Sequence, residues 1–200
     1  MDTTELQATE APARGTAHRL YTSLTGKVQA LDVACFRLLA SFTLPRSVSL
    51  PLVVLVRIAD GYIWGVIALT LWLLLPFSEV RTVVLHCLLA IGVSLCIYFP
   101  IKFSLKRPRP YDNGMDVTPV VPPLDKYSFP SGHTMNNLAV ALTLAHYLPG
   151  ILLPAMLFPV AMGLLRILFG VHYLSDIVGG TALGAVAFFI AGAVFPALGL

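Results

Sequence analysis

The sequence predicts an all-α fold: a polytopic membrane helix bundle of about five transmembrane helices, with six as the alternative, plus an N-terminal amphipathic helix. Hydrophobic residues make up 57% of the 200 residues and charged residues only 12%, whereas about 25% charged residues is usual in a soluble domain. The apolar residues also occur in long runs, which suit helices rather than the short alternating strands of a barrel. These two observations exclude a soluble globular protein.

The N-terminal part is polar. Residues 1–20 carry acidic and basic residues and lack the apolar centre of a signal peptide, so we predict a disordered tail followed by a single domain over 21–200. In 24–44, apolar residues recur at helical spacing but are mixed with Lys27 and Asp32. This pattern favours an amphipathic helix on the membrane surface. A first spanning helix with unusual polar residues is the alternative.

Five apolar runs follow, and each is close to the ~20 residues that a span requires. We expect spans over 61–78, 82–101, 131–148, 151–169 and 173–195, the third and fourth being separated at Pro149-Gly150. Arg57 and Asp60 precede the first run and are expected to form an anchoring ion pair at its interface end. Small residues in the last run predict close helix packing; they are Gly179, Gly180, Ala182, Gly184, Ala185 and Ala187.

A polar, proline-rich loop over 102–130 connects the second and third spans. Prolines cannot continue a helix, so this segment is expected to be irregular and stiff. If the spans cross alternately, this loop, the start of the third span and the fourth-to-fifth connection lie on one membrane face. Three polar clusters, separated by long apolar runs, therefore meet there.

Two of these clusters have the chemistry of an anion site. Lys102 and Arg109 can close over one anion, the lysine as a point charge and the arginine as a bidentate fork. Pro130-Ser131-Gly132-His133 opens a helix, where free N–H groups bind phosphate readily. A basic cluster at a membrane surface also attracts anionic headgroups in general, which is the less specific interpretation. The net charge of +3 is too small to indicate nucleic-acid binding.

The third cluster adds a nucleophile. Ionisable residues within membrane-type sequence are costly and indicate a functional site, and this cluster holds Arg166, His172 and Asp176. The latter two are four residues apart, so on a helix their side chains share a face. A carboxylate on one imidazole nitrogen fixes the tautomer and leaves the other nitrogen nucleophilic.

Together, Lys102-x6-Arg109-Pro110, Pro130-Ser131-Gly132-His133 and Arg166-x5-His172-x3-Asp176 resemble the three-part signature of the type 2 phosphatidic acid phosphatase family. That family includes membrane lipid phosphatases that share an anion pocket with acid phosphatases and vanadium haloperoxidases. The resemblance covers residues 102 to 176. One departure is Leu165, where the family often has a serine that contacts phosphate.

The resemblance implies a role for each residue. His172 is the nucleophile that forms a phosphohistidine, Asp176 orients its ring, and His133 is the general acid and base. The remaining residues would bind the substrate phosphate: Lys102, Arg109, Ser131, Gly132 and Arg166. No metal or other cofactor is expected.

We therefore expect an integral membrane lipid phosphatase that hydrolyses a phosphomonoester or diphosphate of a membrane lipid. Undecaprenyl diphosphate, phosphatidylglycerophosphate, phosphatidic acid and lipid A 1-phosphate are the candidate substrates. A vanadium-dependent haloperoxidase-like enzyme and a non-catalytic lipid-binding protein are the alternatives. The expected partners are a lipid phosphate and the bilayer, with no nucleic acid and no obligatory protein partner.

The expected location is the bacterial inner membrane, as a multi-pass cell-envelope protein. The family places the site on the periplasmic face. The positive-inside rule favours the cytoplasmic face, but several of the cations that it counts belong to the candidate site.

Overall fold

A computed structural model describes residues 16–42, 45–74, 76–115, 120, 123 and 125–199. These residues form helices joined by short connections, without a strand. The seven α-helices of the described part are α1 (Thr16–Ala40), α2 (Arg46–Ile58), α3 (Tyr62–Leu74), α4 (Phe77–Leu105), α5 (Gly132–Tyr147), α6 (Leu152–Leu168) and α7 (Leu174–Ala197). Short 3₁₀ turns lie at Pro110–Asn113 and Pro149–Ile151. The all-α prediction is confirmed.

Three segments are long and apolar enough to cross a membrane: Phe77–Asn113, Pro149–Leu168 and Leu174–Ala197. A fourth candidate is α2 with α3, which together form one broken span or a re-entrant loop with a 64° bend. The first predicted span, 61–78, is thus only the second half of a bent pair. The bend falls where Gly61 adopts φ +132°, a conformation that side-chain-bearing residues rarely adopt. By length and composition, the described helices thus provide three spans, or four if α2 and α3 form one, and not the predicted five or six.

The central helix of the bundle is α5, which packs against α4, α6 and α7. It is buried along most of its length, and its apolar residues are mainly alanine, valine and leucine. On α7, Gly180, Gly184 and Ala187 form a buried face of small residues that lets α5 approach closely. Ala182 was predicted to join them, but its position on the helix turns it outward and it is exposed.

The N-terminal helix differs from its prediction. It begins at Thr16 rather than at residue 24, so residues 16–20, expected in the disordered tail, are helical. Residues 1–15 lie outside the described part of the chain. Large apolar residues such as Leu31 and Leu38 face outward, whereas Asp32 is 1% exposed. The aspartate faces inward because it accepts hydrogen bonds from Arg107 and from the backbone and hydroxyl of Ser175.

Four helix ends define one end of the bundle. The last turn of α4 carries Lys102, and the last turn of α6 carries Arg166. The first turns of α5 and α7 carry His133 and Asp176. Contacts among these residues and their neighbours, described below, bring the four ends together. The predicted convergence of three distant polar clusters is confirmed.

Candidate active site

The polar cluster surrounds a cavity of about 240 Å³. Five of its wall residues carry the predicted chemistry. Mostly polar side chains from α3, α4, α5, the α2–α3 turn and the loop before α5 complete the wall. The predicted residues in the wall are Arg109, Gly132, His133, Arg166 and His172, and the added ones include Asp60, Trp64, Tyr98, Asp125, Asn136 and Asn137. Both candidate catalytic histidines therefore face the same space.

His172 has the geometry of an oriented nucleophile. Its Nδ1 lies 3.3 Å from Asp176 Oδ2, and Nη1 of Arg109 points at its Nε2 from 3.4 Å. With Nδ1–H directed to the carboxylate, Nε2 keeps its lone pair. Burial lowers the pKa of His172 to about 4, and the positive charges of Arg109 and Arg166 act in the same direction. The ring is therefore neutral at neutral pH and can attack phosphorus.

The contact between His172 and Asp176 does not arise as predicted from one helical face. His172 precedes α7, which begins at Leu174. Asp176 lies in the first helical turn, and its Oδ2 also accepts the backbone N–H of Tyr173 at 2.8 Å. The carboxylate thus caps the helix start and reaches back to the imidazole. Asp176 therefore fixes both the backbone at the start of α7 and the orientation of the His172 ring.

Arg107 is a site residue that the sequence analysis did not identify. Its Nη1 donates to Asp176 Oδ1 and its Nη2 to Asp32 Oδ2, both at 2.6 Å. Asp176 is 0% exposed, so this pairing compensates a charge that burial alone would make costly. The guanidinium also lies over the Tyr173 ring at 4.3 Å. Arg107 therefore connects α1 to the carboxylate that contacts the His172 ring.

Arg166 lies on the other side of the cavity and is 2% exposed. Its Nη2 contacts Asp60 Oδ1 at 3.3 Å and both ring nitrogens of His133, Nδ1 at 2.6 Å. Its Nε and Nη1 are buried without a hydrogen-bond partner among the described residues. Unpaired buried donors are costly unless a ligand satisfies them. Arg166 lines the cavity, so its guanidinium adjoins the space in which an anion would bind.

Lys102 and Arg109 converge, as expected, but on a carboxylate of the protein. Asp125 Oδ1 accepts from Lys102 Nζ at 2.9 Å and from Arg109 Nη2 at 2.8 Å, while its Oδ2 accepts from the Tyr98 hydroxyl at 2.6 Å. Burial alone would raise the pKa of Asp125, but the hydrogen bonds from Tyr98 and Lys102 hold it below its usual range. The carboxylate thus occupies donors that the sequence assigned to substrate phosphate.

The start of α5 agrees with its prediction only in part. Ser131 is at the N-cap position, yet its side chain makes no capping bond, and its hydroxyl instead accepts from Thr134 at 3.2 Å. The first amides of the helix are thus left without a side-chain cap. A Cβ on Gly132 would lie 2.9 Å from the Tyr98 ring. Glycine is therefore required by this packing, in addition to any approach of an oxyanion.

Asp60 shows a limit of the sequence analysis. Its predicted ion pair with Arg57 forms, at 3.3 Å. The same carboxylate also contacts His133 and Arg166 across the cavity. Asp60 was interpreted as an interface anchor because its partner three residues away was visible in the sequence, whereas the other two contacts are long-range. For Asp125, the only sequence signal was its place in the predicted loop.

Among the described residues, no three His, Cys, Asp or Glu side chains come together as a possible metal site. The expectation that the reaction needs no metal stays a prediction. The catalytic and phosphate-binding roles assigned to the predicted site residues also stay predictions. Ser131 and Lys102 are not part of the cavity wall.

Two curated phosphatases are similar to this chain over part of their length. The decaprenylphosphoryl-5-phosphoribose phosphatase of Mycobacterium tuberculosis is 39% identical over 99 residues, which are 50% of this chain and 51% of that protein. Phosphatidylglycerophosphatase B of Bacillus subtilis is 31% identical over 114 residues, 52% of this chain and 53% of that protein. The chain thus spans about half the length of the curated relatives that it matches.

Solved structures support the same relationship. Aquifex aeolicus LpxE superimposes with a TM-score of 0.62 at 25% identity, covering 80% of this chain and 94% of that one. The PAP2-type phosphatidylglycerolphosphate phosphatase of Bacillus subtilis has a TM-score of 0.55 at 24% identity, covering 84% and 86%, and shows the shared fold. The family model of the PAP2 superfamily matches residues 83–199. This match includes every motif around the cavity, and the chain belongs to the PAP2 superfamily.

Proposed function

We propose that this protein is a membrane lipid phosphatase that hydrolyses a phosphomonoester or diphosphate through a phosphohistidine on His172. The observation that carries the proposal is the cavity that Arg166, His133 and His172 line together. A phosphoryl group there would accept from the Arg166 guanidinium and lie against a neutral imidazole. Carboxylates on the far side of His172 and His133 complete the site.

In the first step, Nε2 of His172 attacks phosphorus, and a P–N bond forms as the P–O bond to the leaving group breaks. Asp176 accepts the Nδ1–H and stabilises the positive charge that the ring acquires. His133 gives a proton to the departing oxygen. Arg166 and Arg109 stabilise the charge on the phosphoryl oxygens.

In the second step, water attacks the phosphohistidine from the side that the leaving group vacated. His133 takes a proton from that water, the P–N bond breaks, and inorganic phosphate leaves with His172 restored. The side chains supply all of the positive charge that these two steps require. We therefore expect the reaction to proceed without a metal ion.

An adjoining apolar cavity of about 180 Å³ supports a lipid substrate. It lies between α3, α4 and α5 and shares Trp64, Ile91 and Val140 with the polar cavity. Its other wall residues are almost entirely aliphatic. A phosphate held by Arg166 thus has an apolar path beside it, which suits the first carbons of an acyl or prenyl chain.

The test is phosphate release in detergent from a panel of lipid phosphates. The panel comprises the four candidates that the sequence suggested and, because of the mycobacterial relative, decaprenylphosphoryl-5-phosphoribose. We expect release from at least one of them, undiminished by EDTA, together with an acid-labile phosphoenzyme. His172→Ala should abolish both, whereas His146→Ala, at the opposite end of α5, should retain them.

Two outcomes would contradict the proposal. Phosphate release by His172→Ala at the wild-type rate would show that no covalent intermediate forms on His172. Complete inhibition by EDTA, reversed by a divalent metal, would show that the reaction requires a metal ion.

We further propose that α2 with α3, and each of α4 to α7, cross the bilayer, giving five spans with the site on the periplasmic face of a bacterial inner membrane. The placement of the site at the ends of α4 and α6 and the starts of α5 and α7 supports alternate crossing. A cysteine introduced at exposed Asp112 should react with a membrane-impermeant maleimide in intact spheroplasts. Reaction only after lysis would place the site on the cytoplasmic face.

A further inference from the structure

The structure contains a second carboxylate–imidazole pair, and the two proposed reaction steps assign no part to its carboxylate. Asp60 lies in the turn between α2 and α3, and its side chain is 9% exposed. Its Oδ1 is in contact with Nε2 of His133. The two residues are 73 positions apart in the chain, so only the packing of the α2–α3 turn against the start of α5 brings them together.

The neighbours of His133 determine where its proton lies. Arg166 Nη2 contacts both ring nitrogens, so it does not distinguish them. Asp60 contacts only Nε2, and an ionised carboxylate can only accept hydrogen bonds. Nε2 of a neutral ring therefore carries the proton that Asp60 accepts, and Nδ1 has the free lone pair.

We propose that Asp60 is the positioning residue of the general acid and base: it holds the Nε2–H of His133 and thereby makes Nδ1 the nitrogen that exchanges a proton with the leaving oxygen. This inference rests on the proposed function. In the imidazolium form, both nitrogens carry a proton. Nδ1 gives its proton to the oxygen as the P–O bond breaks, and the lone pair left on Nδ1 later takes a proton from the attacking water.

The position of Nδ1 agrees with this role. Like Nε2, it contacts Arg166 Nη2, and the guanidinium of Arg166 lines the cavity in which the phosphoryl group would bind. The carboxylate of Asp60 also compensates the positive charge that the ring carries while both nitrogens are protonated. Two Asp–His pairs then share the reaction, one for the nucleophile and one for proton transfer.

The test uses the dependence on the leaving group. An alkoxide requires a proton in order to depart, whereas 4-nitrophenolate does not. We compare kcat/KM, which covers the steps up to departure of the leaving group, for a lipid alkyl phosphate and for 4-nitrophenyl phosphate. For Asp60→Asn, we expect a loss of about 10²-fold with the alkyl ester, near the lower limit of general acid catalysis. With the nitrophenyl ester, the loss should be less than about threefold, since no proton is required.

Three further variants complete the experiment. Asp60→Glu, which keeps the carboxylate, should recover part of the alkyl-ester activity. Asp60→Asn combined with His133→Ala should be no slower than His133→Ala alone, because the two residues act in one step. Asp112→Asn removes the same charge at an exposed position outside the cavity and should match the wild type.

The inference is overturned if Asp60→Asn slows both esters by the same factor, if it slows neither, or if its effect adds fully to that of His133→Ala. Retained nitrophenyl activity in Asp60→Asn shows that the variant is folded. A wild type that releases phosphate from neither ester and from no lipid of the panel instead overturns the proposed function, and this inference with it.

Discussion

The substitution Gly180→Ala tests whether the contact between α5 and α7 sets the geometry of the site. A Cβ at this position would lie 2.7 Å from the carbonyl oxygen of Ser131 and 3.3 Å from Thr134 Cβ. Ordinary contact begins near 3.4 Å, so the helices must separate by about 0.7 Å. The neighbour is backbone, which cannot rotate away.

This displacement acts directly on the site. Ser131 N–H donates to the Asp176 carbonyl at 3.0 Å, so the start of α5 is tied to the first turn of α7. Catalytic groups must be held within about 0.5 Å, and a misplacement of about 1 Å costs on the order of 10²-fold in rate. We therefore expect Gly180→Ala to lower kcat/KM by about 10- to 100-fold. Overpacking of this kind also costs about 1–3 kcal/mol of stability.

The assay is phosphate release together with the unfolding temperature in detergent. Gly192→Ala is the matched control, because it lies on the same helix and its added Cβ has nothing within 4 Å. Gly184→Ala meets Met135 O at 2.6 Å, one turn farther from the site, and should lower stability comparably with a smaller loss of activity. If kcat/KM of Gly180→Ala is within about twofold of Gly192→Ala, the coupling between helix spacing and catalysis is refuted.

Three other predictions follow from the contacts of the site. Arg107→Gln leaves the buried Asp176 uncompensated and should lower kcat about 10- to 100-fold, as measured by phosphate release; an unchanged kcat would contradict the role of this pair. Asp125→Asn frees Arg109 and should tighten inhibition by inorganic phosphate about tenfold, the equivalent of about 1.4 kcal/mol; weaker inhibition would mean that the carboxylate helps to bind phosphate. The lowered pKa of His172 makes the unfolded chain bind more protons between pH 6.5 and about 4, so stability falls as the pH falls through this range. The loss of unfolding temperature between pH 7 and pH 4.5 should be smaller in His172→Gln, and an equal loss would contradict the assigned pKa.

The sequence located the long apolar helices closely. Predicted spans at 131–148, 151–169 and 173–195 correspond to α5, α6 and α7 within a few residues. The reason is that a bilayer imposes a length and a uniform apolar composition that any sequence must satisfy locally. The start of α1 and the division between α2 and α3 were predicted less well. Both depend on packing against other helices rather than on a local limit.

The candidate site likewise contains residues that the sequence predicted and contacts that depend on packing between helices. His133, Arg166, His172 and Asp176 were found because their spacing is visible along the chain, and alternate crossing places them at one end of the bundle. Apart from the contact between His172 and Asp176, the partners of these residues were not predicted. The residues around an aspartate in a turn or a loop do not indicate which histidine or arginine it contacts in the fold, as Asp60 and Asp125 illustrate.

The sequence by itself determined that this is a helical membrane protein with its candidate anion-binding and nucleophilic groups at one end. Apart from the local pairs Arg57–Asp60 and His172–Asp176, the tertiary structure alone decided which carboxylate faces each cation and each imidazole. Asp32, for example, reaches Arg107 across 75 positions, and Asp60 reaches Arg166 across 106. Hydrophobic periodicity and motif spacing are properties of neighbouring residues. Charge pairing at a buried site depends on which helix ends the packing of the whole bundle brings together.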